Sequence, residues 1–449
     1  HPRVRRQRQM CIRDRYKSNH MNINNPRVTM IMGAGAVLDM NFPSNIIKPT
    51  TWNITEKVRK PYDDIFCANR EITIVEDIYQ ILVRSFPADH NIWWATNYIP
   101  NIHFEILFHV MEQLIAYQSV WASNNHNPYT FPHFAPFTAM NFSFDPKDLN
   151  QVMWKFIMRI MEIVNAYNEY FRNDNGAENW YRDFFKSDFK WDVFNFNYDT
   201  TVEQSLGMYE DGFEQMTNRI DSIFRPQKLI LNENNLSTVN HVHGCINYFY
   251  KDKPNDDMFE TNIHDLYLYP NFNEVKCRMI GRGQSNPSAQ NNEEYFAGPI
   301  ITGLRKIEKL TCMPYDFYHG NLYNAVVSNN AMVIAGYSFS DLYVNNLINR
   351  MHTIWRGKER IVVIDKWDDN KIRGYKTELE KYLQTLSKGA IEFLELMSGC
   401  TCIGQMINDF IDPDIFHPKY SLNGNLMLIT NGMKGASNIR NEIYSFLKS

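Results

Sequence analysis

No two cysteines in this chain are spaced as CxxC. Its seven cysteines, Cys11, Cys67, Cys245, Cys277, Cys312, Cys400 and Cys402, are few for 449 residues and odd in number. A disulfide framework or a closed zinc site is therefore not expected, and a reducing cytoplasm fits this usage. Long apolar runs are missing too. No stretch reaches the roughly 18–20 residues that span a bilayer, so no membrane segment is expected. Neither charge sign dominates: 46 basic and 50 acidic residues leave a net charge of −4. That balance argues against direct nucleic-acid binding. There is no HExxH, and His20, His90, His103, His109 and His126 are scattered, so no metal set is read.

The first residues also lack an apolar stretch. HPRVRRQRQMCIRDRYKSNH is basic and has no apolar period. A secretory signal needs about 7–15 apolar residues after its positive end. Residues 1–20 are read as flanking sequence outside the fold, with a genuine basic arm as the alternative.

What is present is a large core in prospect. Hydrophobic residues make up 44% of the chain, enough for two domains or one with a big insertion. Val28 to Met32 is a short apolar run with β-branched residues, the pattern of a buried strand, broken by Gly33-Ala34-Gly35. IVEDIYQILVRSF, HFEILFHVMEQLIAYQSVW and LNQVMWKFIMRIMEIVNAYNEYFRN carry apolar residues at three-and-four spacing and predict long helices over about 65–185. Aromatic loops such as NPYTFPHFAPFT separate them. Strands are expected at WDVFNFNYDT, STVNHVHGCIN and GPIITG, with a polar lid-like loop over about 251–297. The helix DFYHGNLYNAVVSNN, the strand AMVIAG, the helix LYVNNLINRMHTIW and the strand ERIVVIDKW then follow. That alternation is the rhythm of an α/β, doubly wound parallel sheet. Beyond about residue 371 the text predicts helices at YKTELEKYLQTL and FLELMSGCTCIGQMINDF, hence a small α-rich C-terminal extension over 371–449.

Five strand ends carry chemistry. GAGAVL puts Gly33, Ala34 and Gly35 after a strand, where glycines let backbone approach a pyrophosphate and a following helix N-terminus favours its charge; a plain strand-to-helix turn reads equally well. Leu38 stands where the third glycine of GxGxxG belongs, and Asp39 continues a polar loop that can close over a ligand. NFNYDT delivers Asn197 and Asp199 on one side of an extended strand, where an amide and a carboxylate can hold ribose hydroxyls. An Asx turn or helix cap is the plainer explanation. In NHVHGCI, His241 and His243 alternate onto one face. His243 suits a general base at a strand end, and His241 suits a satisfied core histidine. VIAGYSFSD offers Gly336 and Ser338 to a dinucleotide cleft, with Asp341 capping the next helix. IVVIDKW ends with Asp365, either a ribose-binding carboxylate or a surface turn. In an open parallel sheet, ligands bind beyond the carboxyl ends of the strands, which makes these five places one candidate site.

The order of these motifs resembles the sirtuin-like NAD-binding family: the GAG loop, Asn197-Tyr198-Asp199, His243-Gly244, then Gly336 to Asp341. The stretch from GPIITGLRKIEKL to AMVIAGYSFSD is similar to the bacterial anti-phage defence branch. The resemblance covers about residues 27–370. It implies a Rossmann-like NAD-binding catalytic domain over 21–370, interrupted by the helical insertion. His243 is then the catalytic histidine and Asn197 the amide that positions the ribose for cleavage. Asp199 is its partner in the pocket. Gly33, Ala34 and Gly35 form the phosphate loop, and Gly336 and Ser338 a second nucleotide-contacting turn. Deacetylase sirtuins carry two CxxC zinc pairs; this chain has none, so no zinc is expected and NAD+ hydrolysis is favoured over deacylation. NAD+ is then a substrate, cleaved to nicotinamide and ADP-ribose in antiviral defence. The rival expectations are a deacylase or ADP-ribosyltransferase, and a non-enzymatic NAD or ADP-ribose sensor or docking subunit. An oligomer is expected, with a hexameric ATPase/helicase or an Argonaute as a possible partner.

Overall fold

The computed structural model describes residues 26–60, 69–85, 102–124, 146–173, 175–217, 219–250, 266–279, 299–303, 306, 314–366, 386–402, 405–406 and 418–449. The expectations for residues 1–20, for NPYTFPHFAPFT, for most of the 251–297 loop and for nearly all of YKTELEKYLQTL lie outside these residues.

β1 (Arg27–Met32) is buried over Val28–Met32, as a strand covered on both faces must be. A single 3₁₀ turn, Ala34–Val37, follows it in place of the expected helix. α1 (Thr51–Arg59), α2 (Asn69–Ser85), α3 (Phe104–Asn124), α4 (Pro146–Asn173) and α5 (Asn175–Phe185) precede β2 (Lys190–Asn195). The apolar spacing of α4 gives one buried stripe, including Val152, Phe156, Ile160, Val164, Tyr167 and Phe171, whose core is continuous with that under the sheet. α6 (Thr201–Leu206), β3 (Tyr209–Glu210), β4 (Phe213–Gln215), β5 (Ser222–Phe224), α7 (Pro226–Leu231) and β6 (Ser237–His241) come next. β7 (Tyr248–Tyr250), β8 (Leu266–Leu268) and α8 (Phe272–Met279) lead to α9 (Tyr315–Ser328), β9 (Ala331–Ala335), α10 (Leu342–Trp355) and β10 (Arg360–Ile364). α11 (Lys388–Ser398), β11 (Lys419–Tyr420), β12 (Leu426–Ile429), α12 (Gly432–Asn438) and α13 (Arg440–Lys448) end the chain.

The main sheet has eight strands in the order β11-β12-β10-β9-β1-β2-β6-β3. Every neighbouring pair is parallel except β11 with β12. This is a mixed α/β fold compatible with a Rossmann-like one. From β1 the chain winds to β2 and β6 on one side, then crosses to β9, β10 and β12 on the other. The reversal lies between β1 and β9, and such switch points open a crevice at the carboxyl ends of the strands.

Three expectations change. The C-terminal segment is not simply an α-rich extension: β12 pairs with β10 in parallel, from Ile361↔Leu426 to Ile364↔Ile429, and completes the sheet. Part of the 251–297 stretch is β8 and α8. β8 belongs to a second, antiparallel sheet ordered β4-β5-β8-β7. The described residues of GPIITG form no strand but an isolated bridge, Ile300 with Gly244, flanked by the bonds from the Cys245 amide to the Pro299 carbonyl and from the Ile301 amide to the His243 carbonyl. Among the described residues, no helix is long and apolar enough to cross a membrane.

Candidate active site

The two glycine turns beside the switch point pack backbone on backbone. The Gly35 amide donates to the Gly336 carbonyl at 2.9 Å, and Gly33 donates to Ala335 at 2.9 Å. Gly336 has φ +56, and a Cβ there would lie 2.0 Å from the Ala36 nitrogen. Only glycine fits such a left-handed, crowded position. The glycines are thus needed for the fold, whatever ligand they face. The Tyr181 hydroxyl, from α5, donates to the Ala36 carbonyl and fastens the helical layer to this turn.

Beyond these turns lies a cavity of about 420 Å³, a size within the usual range for small-molecule sites. Gly33, Ala34, Gly35, Asn197, His243, Gly336, Ser338 and Asp365 all line it. Five separate chain positions therefore meet in one cleft. Asn197 is held in place: its Nδ2 donates to the Gly33 carbonyl at 3.0 Å, and its backbone amide to Asn195 Oδ1 at 2.9 Å. The Asp365 Oδ1 accepts the Lys366 amide at 2.8 Å.

Two expected site residues lie elsewhere. Asp199 is fully buried and does not line the cleft. Its carboxylate accepts from the Tyr167 hydroxyl at 2.8 Å, the Thr201 amide at 3.0 Å and the Thr201 hydroxyl at 2.5 Å. It holds the start of α6 and anchors Tyr167, which does line the cleft. Burial raises its pKa against those bonds. Asp39 also faces away from the cleft. It accepts the Lys434 amide at 3.0 Å and sits 3.7 Å from Lys366 Nζ, tying the first turn to the C-terminal segment. In both cases a carboxylate near backbone N–H groups found a structural use first.

The strand reading of NHVHGCI also needs correction. β6 ends at His241, and His243 sits in the turn after it, with Gly244 at φ +87. The two imidazoles therefore do not share a face. His241 Nε2 lies 2.5 Å from Glu203 Oε1. Burial works against charge there, but Glu203 prevails and raises the His241 pKa. His243 lines the cleft, its ring perpendicular to that of Phe196 with the centroids 4.9 Å apart. Burial and then Lys306 lower its pKa, against the opposite pull of Asp341 and Glu105. A neutral imidazole at physiological pH is the form that accepts a proton.

Three charged residues around His243 escaped sequence reasoning as cleft groups. Asp341 caps α10 as its position predicted, accepting the Tyr343 and Val344 amides at 3.0 and 3.3 Å. Its other oxygen, Oδ2, is 3.6 Å from His243 Nε2. Burial alone would raise the Asp341 carboxyl; facing His243, helped by Lys306 and the Val344 amide, it falls to about 2. Glu105, in the first turn of α3, pairs with Lys306 at 2.7 Å, and both line the cleft. Glu105 is set by the bond from the neighbouring Phe104 amide to Thr55 Oγ1, 2.8 Å. Burial raises its pKa, and Lys306 more than reverses that. No sequence pattern marks Glu105 or Lys306, since a helix first turn and a lone lysine are ordinary surface features.

Among the described residues, no group of three or more His, Cys, Asp or Glu side chains is placed to hold a metal ion. Chemically, the cleft offers a carboxamide held against the glycine backbone, a neutral imidazole, carboxylates and one lysine. No protein-family model matches the chain, and no curated protein matches it.

Proposed function

We propose that the chain is an NAD+ glycohydrolase of sirtuin-like type. The observation that carries this reading is the meeting of Asn197 and His243 with both glycine turns in one cavity at the sheet's switch point. A dinucleotide there lays its pyrophosphate against backbone at Gly33–Gly35 and Gly336, where the Ala34 methyl is the one side chain on these two turns. Its nicotinamide ribose lies toward His243. With the imidazole neutral, Asp341, Glu105 and Lys306 sum to one negative charge at that end. Such a surrounding favours the nicotinamide cation and the oxocarbenium-like state that follows it.

The reaction balances simply. The N-glycosidic electron pair leaves with nicotinamide, a water oxygen bonds to the ribose carbon, and the water's proton goes to His243 and then to solvent. Asn197, fixed to Gly33, orients the ribose and the water. The products are nicotinamide and ADP-ribose. The role in antiviral defence, homo-oligomerisation, and control by a partner such as a hexameric ATPase/helicase or an Argonaute belong to the same proposal and rest on the family resemblance. A cytoplasmic location is proposed on the cysteine usage.

Chromatography of NAD+ incubated with the purified protein, alone and with its genomic neighbour's product, tests the reading. Nicotinamide and ADP-ribose should form in equal amounts without any acylated peptide, and Asn197→Ala should abolish both. Release that requires an acylated peptide would assign a deacylase; binding of NAD+ with no release would assign a sensor.

A further inference from the structure

The two oxygens of Asp341 have different tasks. Oδ1 accepts two amides at the start of α10, which fixes the carboxylate in space. Oδ2 is thereby left toward His243 Nε2, at 3.6 Å. That nitrogen is buried and has no hydrogen-bond partner, although its ring lines the cleft. A nitrogen without accessible surface does not meet a substrate. The Phe196 ring packs perpendicular to the imidazole as well.

We propose that Asp341 is a positioning residue that keeps the proton of neutral His243 on Nε2, leaving Nδ1 as the atom that takes the proton from the attacking water. This inference rests on the hydrolase reading of the same cleft. A carboxylate beside one imidazole nitrogen favours the tautomer protonated there and stabilises the imidazolium formed when the other nitrogen gains a proton. During hydrolysis the water O–H breaks and the water oxygen bonds to the ribose carbon. The glycosidic pair departs with nicotinamide, and the proton rests on Nδ1 opposite Asp341. Contraction of the Nε2–Oδ2 distance by less than 1 Å completes a charge-assisted bond. Three charged groups act on His243: Lys306 disfavours its protonation, while Asp341 and Glu105 favour it. The neighbouring His319 is coupled to it as well.

The test is Asp341→Asn, because asparagine caps a helix as well as aspartate and removes only the charge. Nitrogen-15 imidazole spectra of the full chain without NAD+, assigned with His243→Gln, read the tautomer directly. Wild type should show Nε2 protonated. Asp341→Asn should lose that preference, melt within a few degrees of wild type, and lower kcat about 10²–10⁴-fold with KM little changed. The acid limb of its pH–rate profile should move to lower pH. Asp341→Ser, which also caps, should behave alike. An unchanged tautomer and acid limb in both variants would overturn the proposal. If wild type releases no nicotinamide, the hydrolase reading fails, while the spectra still decide what Asp341 does to His243.

Discussion

His241 closes β6 with Nε2 against Glu203 at 2.5 Å, whereas His243, two residues on, turns into the cleft with Nε2 unpartnered. The backbone makes the difference. β6 ends at His241, and the turn through Gly244 rotates His243 out of the strand's alternation. One imidazole has its charge stabilised by a carboxylate at bonding distance; the other is desolvated and kept neutral. Burial is nearly equal at the two sites, so partner distance, rather than depth, separates a structural histidine from a candidate base.

Breaking the His241 pair should produce the largest change in stability. Glu203→Ala leaves a buried imidazole without its carboxylate, and loss of one partner of such a pair costs about 3–5 kcal/mol. Urea unfolding should show that loss for Glu203→Ala and a smaller one for the double variant His241→Leu/Glu203→Leu. Equal losses would mean the pair is not the unit.

The two kinds of histidine should also respond oppositely to pH. The His241 pKa is raised in the fold, so its contribution is full below about pH 6.5 and fades as pH rises through the higher folded value. His319 is the reverse case. It is buried with both ring nitrogens unpartnered, and desolvation lowers its pKa to about 4. Unfolding takes up a proton there, so stability falls as pH drops from about 6.5 to 4, by about 3 kcal/mol. Denaturant midpoints across that range should show the fall, and His319→Leu should flatten it.

The smallest expected effect is at Lys306. Lys306→Met removes a cation that disfavours protonation of His243, so the acid limb of the pH–rate profile should move to higher pH, opposite in direction to Asp341→Asn. Movement of both variants in the same direction would mean the limb reports another group.

Much of this architecture was legible in the text. β1, β9 and β10 are β-branched apolar runs ending near glycine or aspartate, and α4 and α10 carry unbroken three-and-four spacing. Leu426–Ile429 escaped notice because LMLI is four residues long with a single β-branched residue, so only its pairing with β10 makes it a strand. The strands of the small sheet, β4, β5, β7 and β8, are too short at three residues each to show a period. Asp39 and Asp199 looked like Asp365 in sequence, since any aspartate after a strand can bind ribose or cap backbone. Glu105 reaches the cleft through the packing of α3 against α1 and α4, and Lys306 meets it there from a distant stretch of chain.

The central claim is that His243, and not His241, performs chemistry on NAD+ in this cleft. Nicotinamide release by wild type and by His243→Ala, at matched melting temperatures, tests it most directly. The account predicts steady release by wild type and none above background by the variant. Equal release from both would contradict it.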